Sequence, residues 1–293
     1  MATIAFIGLG NMGGPMAANL VKAGHRVSGY DLSAAVCETA RLAGLAIAAS
    51  SAEAAADAEI VITMLPAGQH LVDAYEGGLV AAAPRGALFI DSSTVDVASA
   101  RRAHEAAAAA GMMSVDAPVS GGVGGAVART LTFMAGGEPA ALERARPVLD
   151  AMGKRVVACG GPGAGQAAKL CNNMILGISM IGISEAFVLA EKLGLDHQAL
   201  FDVASTSSGQ CWALVNHCPV PGPVPTSAAN HGYKPGFATA LMLKDLTLAR
   251  DAAEAVGAET ALGRHAQEIF AAFAAEGGGA RDYSAIIEAV RGA

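Results

Sequence analysis

Glycines at positions 8, 10 and 13 lie between an apolar run, Thr3–Ile7, and a predicted helix that begins near Asn11. Glycine at this spacing allows a sharp turn, close approach of the backbone to a pyrophosphate and tight packing of helix on strand. Amide groups at the helix start then face the anion. Because the chain contains 36 glycines, the spacing alone is weak evidence, and its position between strand and helix is what favours a nucleotide site over an ordinary tight turn.

Asp31 ends the next predicted strand, Arg26–Tyr30, eighteen residues after Gly13. A carboxylate at this place accepts both ribose hydroxyls of a dinucleotide and repels a 2′-phosphate. Neither Leu32 nor Ser33 supplies a cation for such a phosphate. The segment Gly8-Leu9-Gly10-Asn11-Met12-Gly13 together with Asp31 therefore predicts NAD rather than NADP. The alternative is a turn followed by a solvent-facing aspartate.

Two further predicted strands end in Leu65-Pro66 and in Ser92-Ser93-Thr94. Ligands of open α/β sheets bind beyond the carboxyl ends of the strands, so these residues are candidates for the same crevice. Alternatives stay open for both. Pro66 could simply end a strand, and Thr94 could cap a helix that starts near Val95.

A third segment, Asp116-Ala117-Pro118-Val119-Ser120-Gly121-Gly122, also follows a predicted strand. Successive small residues can form a concavity of amide groups that binds an anion, with the Ser120 hydroxyl as a further donor. This arrangement would suit a substrate carboxylate. A flexible turn would explain the run of small residues equally well.

Lys169 and Asn173 lie four residues apart on a long predicted helix, hence on one of its faces. A lysine in a cleft can exchange a proton with an alcohol oxygen while hydride moves at carbon, provided that burial favours its neutral form. The alternative is that Lys169 is a solvated surface lysine. Lys244 and Asp245 could likewise be an ordinary ion pair on the surface of a helix. Trp212, the single tryptophan, is more typical of a core than of a pocket.

Other chemistries fit the sequence poorly. It contains no G-x-S-x-G elbow, no G-x-x-x-x-G-K-[ST] loop and no H-E-x-x-H, so hydrolase, ATP and zinc chemistry are not indicated and no metal is expected. A net charge of −7 without a basic run predicts no nucleic-acid partner. The longest uncharged helical stretch, Leu170–Ser184, is fifteen residues, short of the roughly 20 that a bilayer needs, so we expect a buried helix and no membrane partner. Without a basic leader and a small-residue cleavage site at the N-terminus, we expect a cytoplasmic protein or a mature chain that has already been trimmed.

Short apolar runs alternate with alanine-rich helical stretches in the first half of the chain, which predicts βαβ units and a largely parallel sheet. After Gly163 a helix is predicted over Ala164–Leu193, and the remainder has helical composition apart from a proline-rich loop, Cys218–Tyr233. The fold class is therefore α/β, a Rossmann-type doubly wound sheet plus an all-α C-terminal domain joined by a long interdomain helix. The predicted divisions are 1–163, 164–194 and 195–293. The predicted strands are Thr3–Ile7, Arg26–Tyr30, Glu59–Met64, Ala87–Ile90, Met113–Asp116, Thr130–Ala135 and Arg155–Cys159.

Four blocks resemble the β-hydroxyacid dehydrogenase family, and within it the 3-hydroxyisobutyrate dehydrogenases of bacterial valine degradation. They are Phe6–Met16 (FIGLGNMGGPM), Asp116–Gly122 (DAPVSGG), Gly165–Asn173 (GQAAKLCNN) and Leu241–Leu246 (LMLKDL). The likeness covers nearly the whole chain. Gly177–Glu185 and Ser207–Trp212 are similar to the valine-pathway enzymes in particular, whereas the loop Cys218–Tyr233 departs from the family pattern.

The resemblance implies roles for these residues. Lys169 would be the catalytic acid/base with Asn173 beside it in the substrate site, and Ser120, Gly121 and Gly122 would hold a carboxylate. The remaining implied contacts are Leu65, Pro66, Thr94 and Lys244 for the cofactor, with Asp245, Trp212 and Phe237 for the substrate.

The expected reaction is NAD-dependent oxidation of 3-hydroxyisobutyrate, a small hydroxy acid, to methylmalonate semialdehyde by a homodimer or homotetramer. Rivals within the family are enzymes acting on tartronate semialdehyde, succinic semialdehyde, glyoxylate or serine. A rival of another class is a non-catalytic dinucleotide-sensing module, against which the presence of Lys169 and Asn173 argues.

Overall fold

The computed structural model describes residues 1–292, and contacts divide the chain into two compact units between Lys169 and Leu170. The first unit contains a sheet of nine strands, in the order β3-β2-β1-β4-β5-β6-β8-β7 with β9 paired to β8. The strands are β1 (Thr3–Ile7), β2 (Arg26–Tyr30), β3 (Ala46–Ile47), β4 (Ile60–Thr63), β5 (Leu88–Asp91), β6 (Met113–Asp116), β7 (Val119–Ser120), β8 (Leu131–Gly137) and β9 (Gly153–Gly160).

Pairing is parallel from β3 through β6 and between β8 and β9, and it is antiparallel where β8 meets β6 and β7. The order 3-2-1-4-5-6 is that of the dinucleotide-binding doubly wound fold. The predicted α/β sheet is therefore confirmed.

Alternate residues of the central strands pack on opposite faces of the sheet. Ile4 and Phe6 of β1 belong to one apolar cluster, while Ala5 and Ile7 belong to another. Strands buried on both faces need apolar side chains at successive positions, which is why these segments read as unbroken hydrophobic runs. The covering helices are α1 (Gly13–Lys22), α2 (Ala34–Leu42), α3 (Ser51–Ala55), α4 (Gly68–Ala74), α5 (Val80–Ala82), α6 (Val97–Ala109), α7 (Gly122–Ala128) and α8 (Pro139–Met152), with a π-helical turn at Tyr75–Leu79 between α4 and α5.

The second unit is helical and has its own apolar core, in which Phe187, Met242 and Phe270 are buried. The long helix α9 (Ala164–Lys192) begins in the first unit and continues into the second. It is followed by α10 (His197–Ala204), α11 (Trp212–His217), α12 (Thr239–Val256), α13 (Ala261–Ala275) and α14 (Ile286–Gly292), and by single 3₁₀ turns at Ala228–His231, Gly278–Ala280 and Tyr283–Ala285.

By length and composition, α9 is the one helix in residues 1–292 that would be able to cross a membrane. This is weak evidence, because the core helix of a soluble protein has the same properties.

Two predicted helix starts are wrong by two residues. The first helix begins at Gly13 rather than near Asn11. The helix expected near Val95 begins at Val97, and its cap is Asp96, whose side chain accepts from the amide of Ser99. Thr94 is therefore not a helix cap, and that alternative to a ligand contact is removed. Sequence reasoning also missed the two-residue strands β3 and β7, because pairing with neighbours, not local pattern, defines them.

Candidate active site

Packing within the fold requires some of the glycines in the loop after β1. Gly8 has φ +94°, and a Cβ there would lie 2.3 Å from the carbonyl oxygen of Met64. A Cβ on Gly13 would lie 1.9 Å from the carbonyl oxygen of Gly8. Backbone atoms cannot give way as a flexible side chain can, so both positions need glycine for folding alone.

Gly10 differs from its two neighbours in the loop. It is exposed, and a Cβ there would meet nothing within 4 Å. Packing inside the protein therefore gives no reason for glycine at this position. A pyrophosphate bound close to the backbone at the start of α1 would explain glycine here. The first amides of a helix lack intrahelical partners and are able to bind such an anion. The loop thus fits the phosphate groups of a dinucleotide.

Asp31, directly after β2, is held by two backbone amides. Its Oδ2 accepts from the Leu9 amide and its Oδ1 accepts from the Ser33 amide, each at 2.8 Å. These bonds fix the carboxylate beside the glycine loop, where its remaining lone pairs are able to accept ribose hydroxyls. The neighbouring Leu32 is 88% exposed and brings no positive charge. The surroundings of Asp31 therefore suit a ribose without a 2′-phosphate.

The loops after β4 and β5 are tied together by a carboxylate that sequence reasoning missed. Asp91 Oδ1 accepts from Thr63 Oγ1 at 2.7 Å and from Ser93 Oγ at 2.6 Å, and Ser93 Oγ in turn accepts from the Leu65 amide at 2.7 Å. Burial raises the pKa of Asp91 to about 6, although the bonds from Ser93 and Thr63 act in the opposite direction. The network holds the backbone at Leu65 and at Ser93, which are followed by the exposed Pro66 and by Thr94.

Ser120, Gly121 and Gly122 lie where β7 gives way to α7. Ser120 is the last residue of β7 and is paired with Thr132 of β8. Gly121 and Gly122 follow with φ of +131° and +59°, a region that favours glycine. The segment is thus a strand-to-helix turn in which two successive residues have the backbone conformation that glycine favours.

Lys169 is the last residue of the first unit and is only 7% exposed. The surface-lysine alternative is therefore wrong. The helix that carries it is anchored by Asp116 at the end of β6: Oδ1 accepts from the Gly163 amide and Oδ2 from the Gln166 amide, both at 2.8 Å. A carboxylate at a helix N-terminus satisfies otherwise unpaired amides and interacts favourably with the helix dipole.

The second unit brings three predicted site residues together. Asn173, one turn beyond Lys169 on α9, donates through Nδ2 to Asp245 Oδ2 on α12, and Lys244 Nζ lies 3.5 Å from Asp245 Oδ1. Asn173 and Asp245 are 1% and 2% exposed, so the interpretation of Lys244-Asp245 as an ordinary surface pair is wrong for Asp245.

In the second unit, Gly177, one turn beyond Asn173 on α9, packs closely against α12. A Cβ on Gly177 would meet Leu246 Cδ2 at 3.0 Å. A larger residue at 177 would therefore require the Leu246 side chain to shift.

Trp212, expected in the core, is 58% exposed at the first position of α11. Its ring stacks on His217, which stacks on Tyr283, and Phe237 meets Tyr283 edge-on. The two aromatic residues predicted for the substrate pocket are therefore joined through His217 and Tyr283. An exposed tryptophan held by stacking suits contact with a ligand better than a structural core role.

The comparisons with known proteins cover the whole length of the chain. Residues 3–161 match the NAD binding domain of 6-phosphogluconate dehydrogenase, and residues 163–290 match a family described as NAD-binding of NADP-dependent 3-hydroxyisobutyrate dehydrogenase. A probable 3-hydroxyisobutyrate dehydrogenase of Mycobacterium tuberculosis is 56% identical over 291 residues, 99% of this chain and 98% of that protein. This chain belongs to the 3-hydroxyisobutyrate dehydrogenase family.

Two further relatives bear on the substrate. An NAD-dependent L-serine dehydrogenase of Pseudomonas aeruginosa is 43% identical, covering 98% of this chain and 97% of that protein. A solved structure of the Mycobacterium tuberculosis 3-hydroxyisobutyrate dehydrogenase with L-serine has 55% identity and a TM-score of 0.96, with 99% of both chains covered. The predicted NAD-binding oxidoreductase is thus confirmed, although one matching family description names NADP. The assignment of individual residues to cofactor and substrate stays a prediction.

Reversing the charge of Asp31 should change the choice of dinucleotide. We expect Asp31→Arg to weaken NADH binding and strengthen NADPH binding by about tenfold or more each, since a charge-assisted contact contributes about 1.5–3 kcal/mol. Fluorescence titration with both reduced cofactors measures the change. Asp57→Arg, an equal reversal at an exposed residue of the same unit, is the matched control. An unchanged preference in Asp31→Arg would remove Asp31 from the ribose site.

Gly10 and Gly13 should respond differently to a methyl group. Gly10→Ala should keep the melting temperature of the wild type while weakening NADH binding by at least about tenfold. The added methyl group would meet no protein atom and would clash only with a bound ligand. Gly13→Ala should lower the melting temperature, because its Cβ meets backbone. Thermal denaturation and NADH titration of the two variants test this pair, and full NADH affinity in a stable Gly10→Ala protein contradicts the pyrophosphate site.

Proposed function

We propose that this enzyme oxidises 3-hydroxyisobutyrate to methylmalonate semialdehyde with NAD, the reaction of valine degradation. The observation that carries the proposal is the buried Lys169, on a helix whose first turn is anchored to the carboxyl edge of the dinucleotide-binding sheet. Membership of the 3-hydroxyisobutyrate dehydrogenase family supports it.

The oxidation requires removal of a proton from the substrate hydroxyl and of a hydride from the same carbon. Bound NAD supplies the hydride acceptor. Lys169, in its neutral form, accepts the hydroxyl proton, which leaves the carbonyl product and a lysine ammonium. The bond from Asn173 to Asp245 fixes the orientation of the Asn173 amide, so it can position the substrate oxygen without rotating.

The other site residues bind and orient. The turn at Ser120, Gly121 and Gly122 holds the substrate carboxylate through its amides and hydroxyl. Trp212 and Phe237 offer apolar surface to the methyl branch of the substrate. The cofactor contacts are Gly8, Leu9, Gly10, Asn11, Met12, Gly13, Asp31, Leu65, Pro66, Thr94 and Lys244, with Asp245 placed beside the substrate.

L-Serine is the second candidate substrate. It is a 3-hydroxy acid like 3-hydroxyisobutyrate and differs in carrying an ammonium group where the latter has a methyl group. The serine-containing structure of the Mycobacterium tuberculosis relative and the related serine dehydrogenase both favour it. The apolar surfaces of Trp212 and Phe237 suit a methyl branch better than an ammonium group. The carboxylate of Asp245 is already bonded to Asn173 and lies 3.5 Å from Lys244 Nζ. For both reasons we place 3-hydroxyisobutyrate first.

The remaining expectations concern the environment of the enzyme. We propose a cytoplasmic homodimer or homotetramer with no nucleic-acid or membrane partner, in which a second copy covers exposed apolar side chains of α9 such as Ile175 and Leu189. The functional divisions remain 1–163 for the cofactor, 164–194 for the connecting helix and 195–293 for the helical domain.

Steady-state kinetics with 3-hydroxyisobutyrate, L-serine, glycerate and 4-hydroxybutyrate, each with NAD and with NADP, test the substrate. We expect the highest kcat/KM for 3-hydroxyisobutyrate with NAD, by about tenfold or more over serine, since one methyl-sized group in an apolar pocket gives about 1–3 kcal/mol of discrimination. A preference for serine would make the second candidate correct, and no NADH formation with any of the four acids would overturn both.

Replacing Lys169 should abolish turnover and preserve cofactor binding. We expect Lys169→Ala to lower kcat by at least about 10²-fold, the typical contribution of a general acid/base, with little change in NADH affinity. Lys192→Ala, an exposed lysine at the end of the same helix, should keep full activity. Turnover of Lys169→Ala at the wild-type rate would exclude the acid/base role.

A further inference from the structure

Gln166 is fully buried, and its side chain makes hydrogen bonds that the sequence block Gly165–Asn173 did not indicate. Its Oε1 accepts from the Val95 amide at 3.1 Å, and its Nε2 donates to the Ser93 carbonyl at 2.8 Å. The side-chain amide of Gln166 is therefore hydrogen-bonded to the backbone of both residues that flank Thr94. These residues, Val95 and Ser93, are 71 and 73 positions away from Gln166 in sequence. Thr94 is the residue of this loop proposed to contact the cofactor.

The backbone of Gln166 is fixed as firmly as its side chain. Its amide donates to Asp116 Oδ2, and the preceding turn is held through the Gly163 amide by Asp116 Oδ1. The first turn of α9 is thus bonded to β6 by Asp116 and to the loop after β5 by Gln166. All of these contacts lie within the first unit.

Lys169 follows Gln166 by three residues, which places the two side chains on neighbouring positions of one helix face. A displacement of the Ser93–Val95 loop relative to α9 would therefore change the distance between a cofactor contact and the proton acceptor. Proton and hydride transfer depend steeply on such distances, and a misplacement of about 1 Å can cost roughly 10²-fold in rate.

We propose that Gln166 is a positioning residue that locks the cofactor loop Ser93–Val95 to the catalytic helix, so that Lys169 and the loop are held in one fixed geometry. The proposal rests on the proposed function, because it takes Lys169 as the acid/base. Gln166 itself touches neither proton nor hydride. Its contribution is to keep the loop amide and carbonyl paired with the helix and not with water.

Two variants separate the positioning role from general stability. Gln166→Met keeps the length of the side chain but removes both bonds, which leaves the Val95 amide and the Ser93 carbonyl without this partner. We expect kcat to fall by about tenfold or more while KM for the acid substrate changes less than threefold. Gln267→Met is the matched control: it makes the same change at a half-buried glutamine whose Nε2 lies 3.5 Å from Thr247 Oγ1, and it should keep the kcat of the wild type.

Gln166→Glu provides a pH-dependent rescue. Ionised, the new carboxylate accepts from Val95 but repels the Ser93 carbonyl; protonated, it donates to Ser93 and reproduces the glutamine pattern. Burial favours the protonated form. We expect the kcat of Gln166→Glu, divided by that of the wild type, to rise by up to about tenfold per pH unit as the pH falls from 8 to 6, whereas the ratio for Gln166→Met stays flat.

The wild-type reference is needed because other ionisable groups surround this position. Asp91 bonds Ser93, Asp116 bonds the Gln166 amide and also His104, and Lys169 lies one turn along the helix. Gln166→Met retains all of these groups, so a rise of the ratio that occurs in Gln166→Glu and not in Gln166→Met is assigned to the new carboxyl group and its coupling to its neighbours. A ratio for Gln166→Glu that stays as low as that of Gln166→Met over the whole pH range would overturn the proposal, whereas a ratio near one throughout would support it, because the buried carboxyl group is then protonated at every pH.

A measurement without substrate makes the two hypotheses distinguishable. Amide hydrogen exchange of the cofactor-free protein should be faster at Val95 in Gln166→Met than in the wild type and Gln267→Met, and NADH titration should show weaker binding. Wild-type exchange at Val95 together with wild-type kcat would overturn the lock while leaving the dehydrogenase assignment intact. Faster exchange at Val95 in an enzyme where Lys169→Ala keeps full turnover would confirm the structural link but overturn the catalytic role of Lys169, and with it the proposal.

Discussion

The position of Lys169 in the first unit depends on the hydrogen bonds of the buried Asp116 carboxylate. Asp116 ends β6 and accepts the Gly163 and Gln166 amides at the start of α9. A helix start without such an acceptor leaves buried amides unpaired, at a cost of about 1–3 kcal/mol each. The sheet therefore determines where α9 begins, and α9 determines where Lys169 lies.

Aspartates end or follow three of the parallel strands, and their surroundings give them different tasks. Asp31 after β2 is half-buried and accepts one backbone amide on each oxygen, whereas Asp91 and Asp116 are buried and accept hydrogen bonds from side-chain hydroxyls or from backbone amides of neighbouring segments. Loops at the carboxyl ends of strands carry backbone amides that need acceptors, and a short carboxylate reaches them without filling the crevice. The same residue type thus holds the loops in place and, at Asp31, is proposed to contact the ribose of the cofactor.

In the second unit, the carboxylate of Asp282 likewise accepts several hydrogen bonds from neighbouring segments. Burial acts to raise the pKa of this carboxyl, but the hydrogen bonds from His217 and Ser284 outweigh it, and the pKa is lowered from its ordinary value. Asp282 also accepts from the amides of Gly236 and Phe237. One charged group therefore holds the ring on which Trp212 stacks and the backbone of Phe237, which explains how an exposed tryptophan keeps a defined orientation.

The sequence by itself determined the fold class, the bounds of β1, β2 and β6, the extent of α9 to within one residue, and the dinucleotide loop. These features depend on local periodicity and on glycine at fixed spacing. Membership of the family was equally readable, since its motifs are contiguous blocks. Tertiary structure alone decided the exposure of Trp212, the burial of Lys169 and Asp245, and the roles of Asp91, Asp116 and Gln166. Each of those depends on partners distant in sequence, and no local pattern encodes which buried amide a carboxylate or a glutamine will meet.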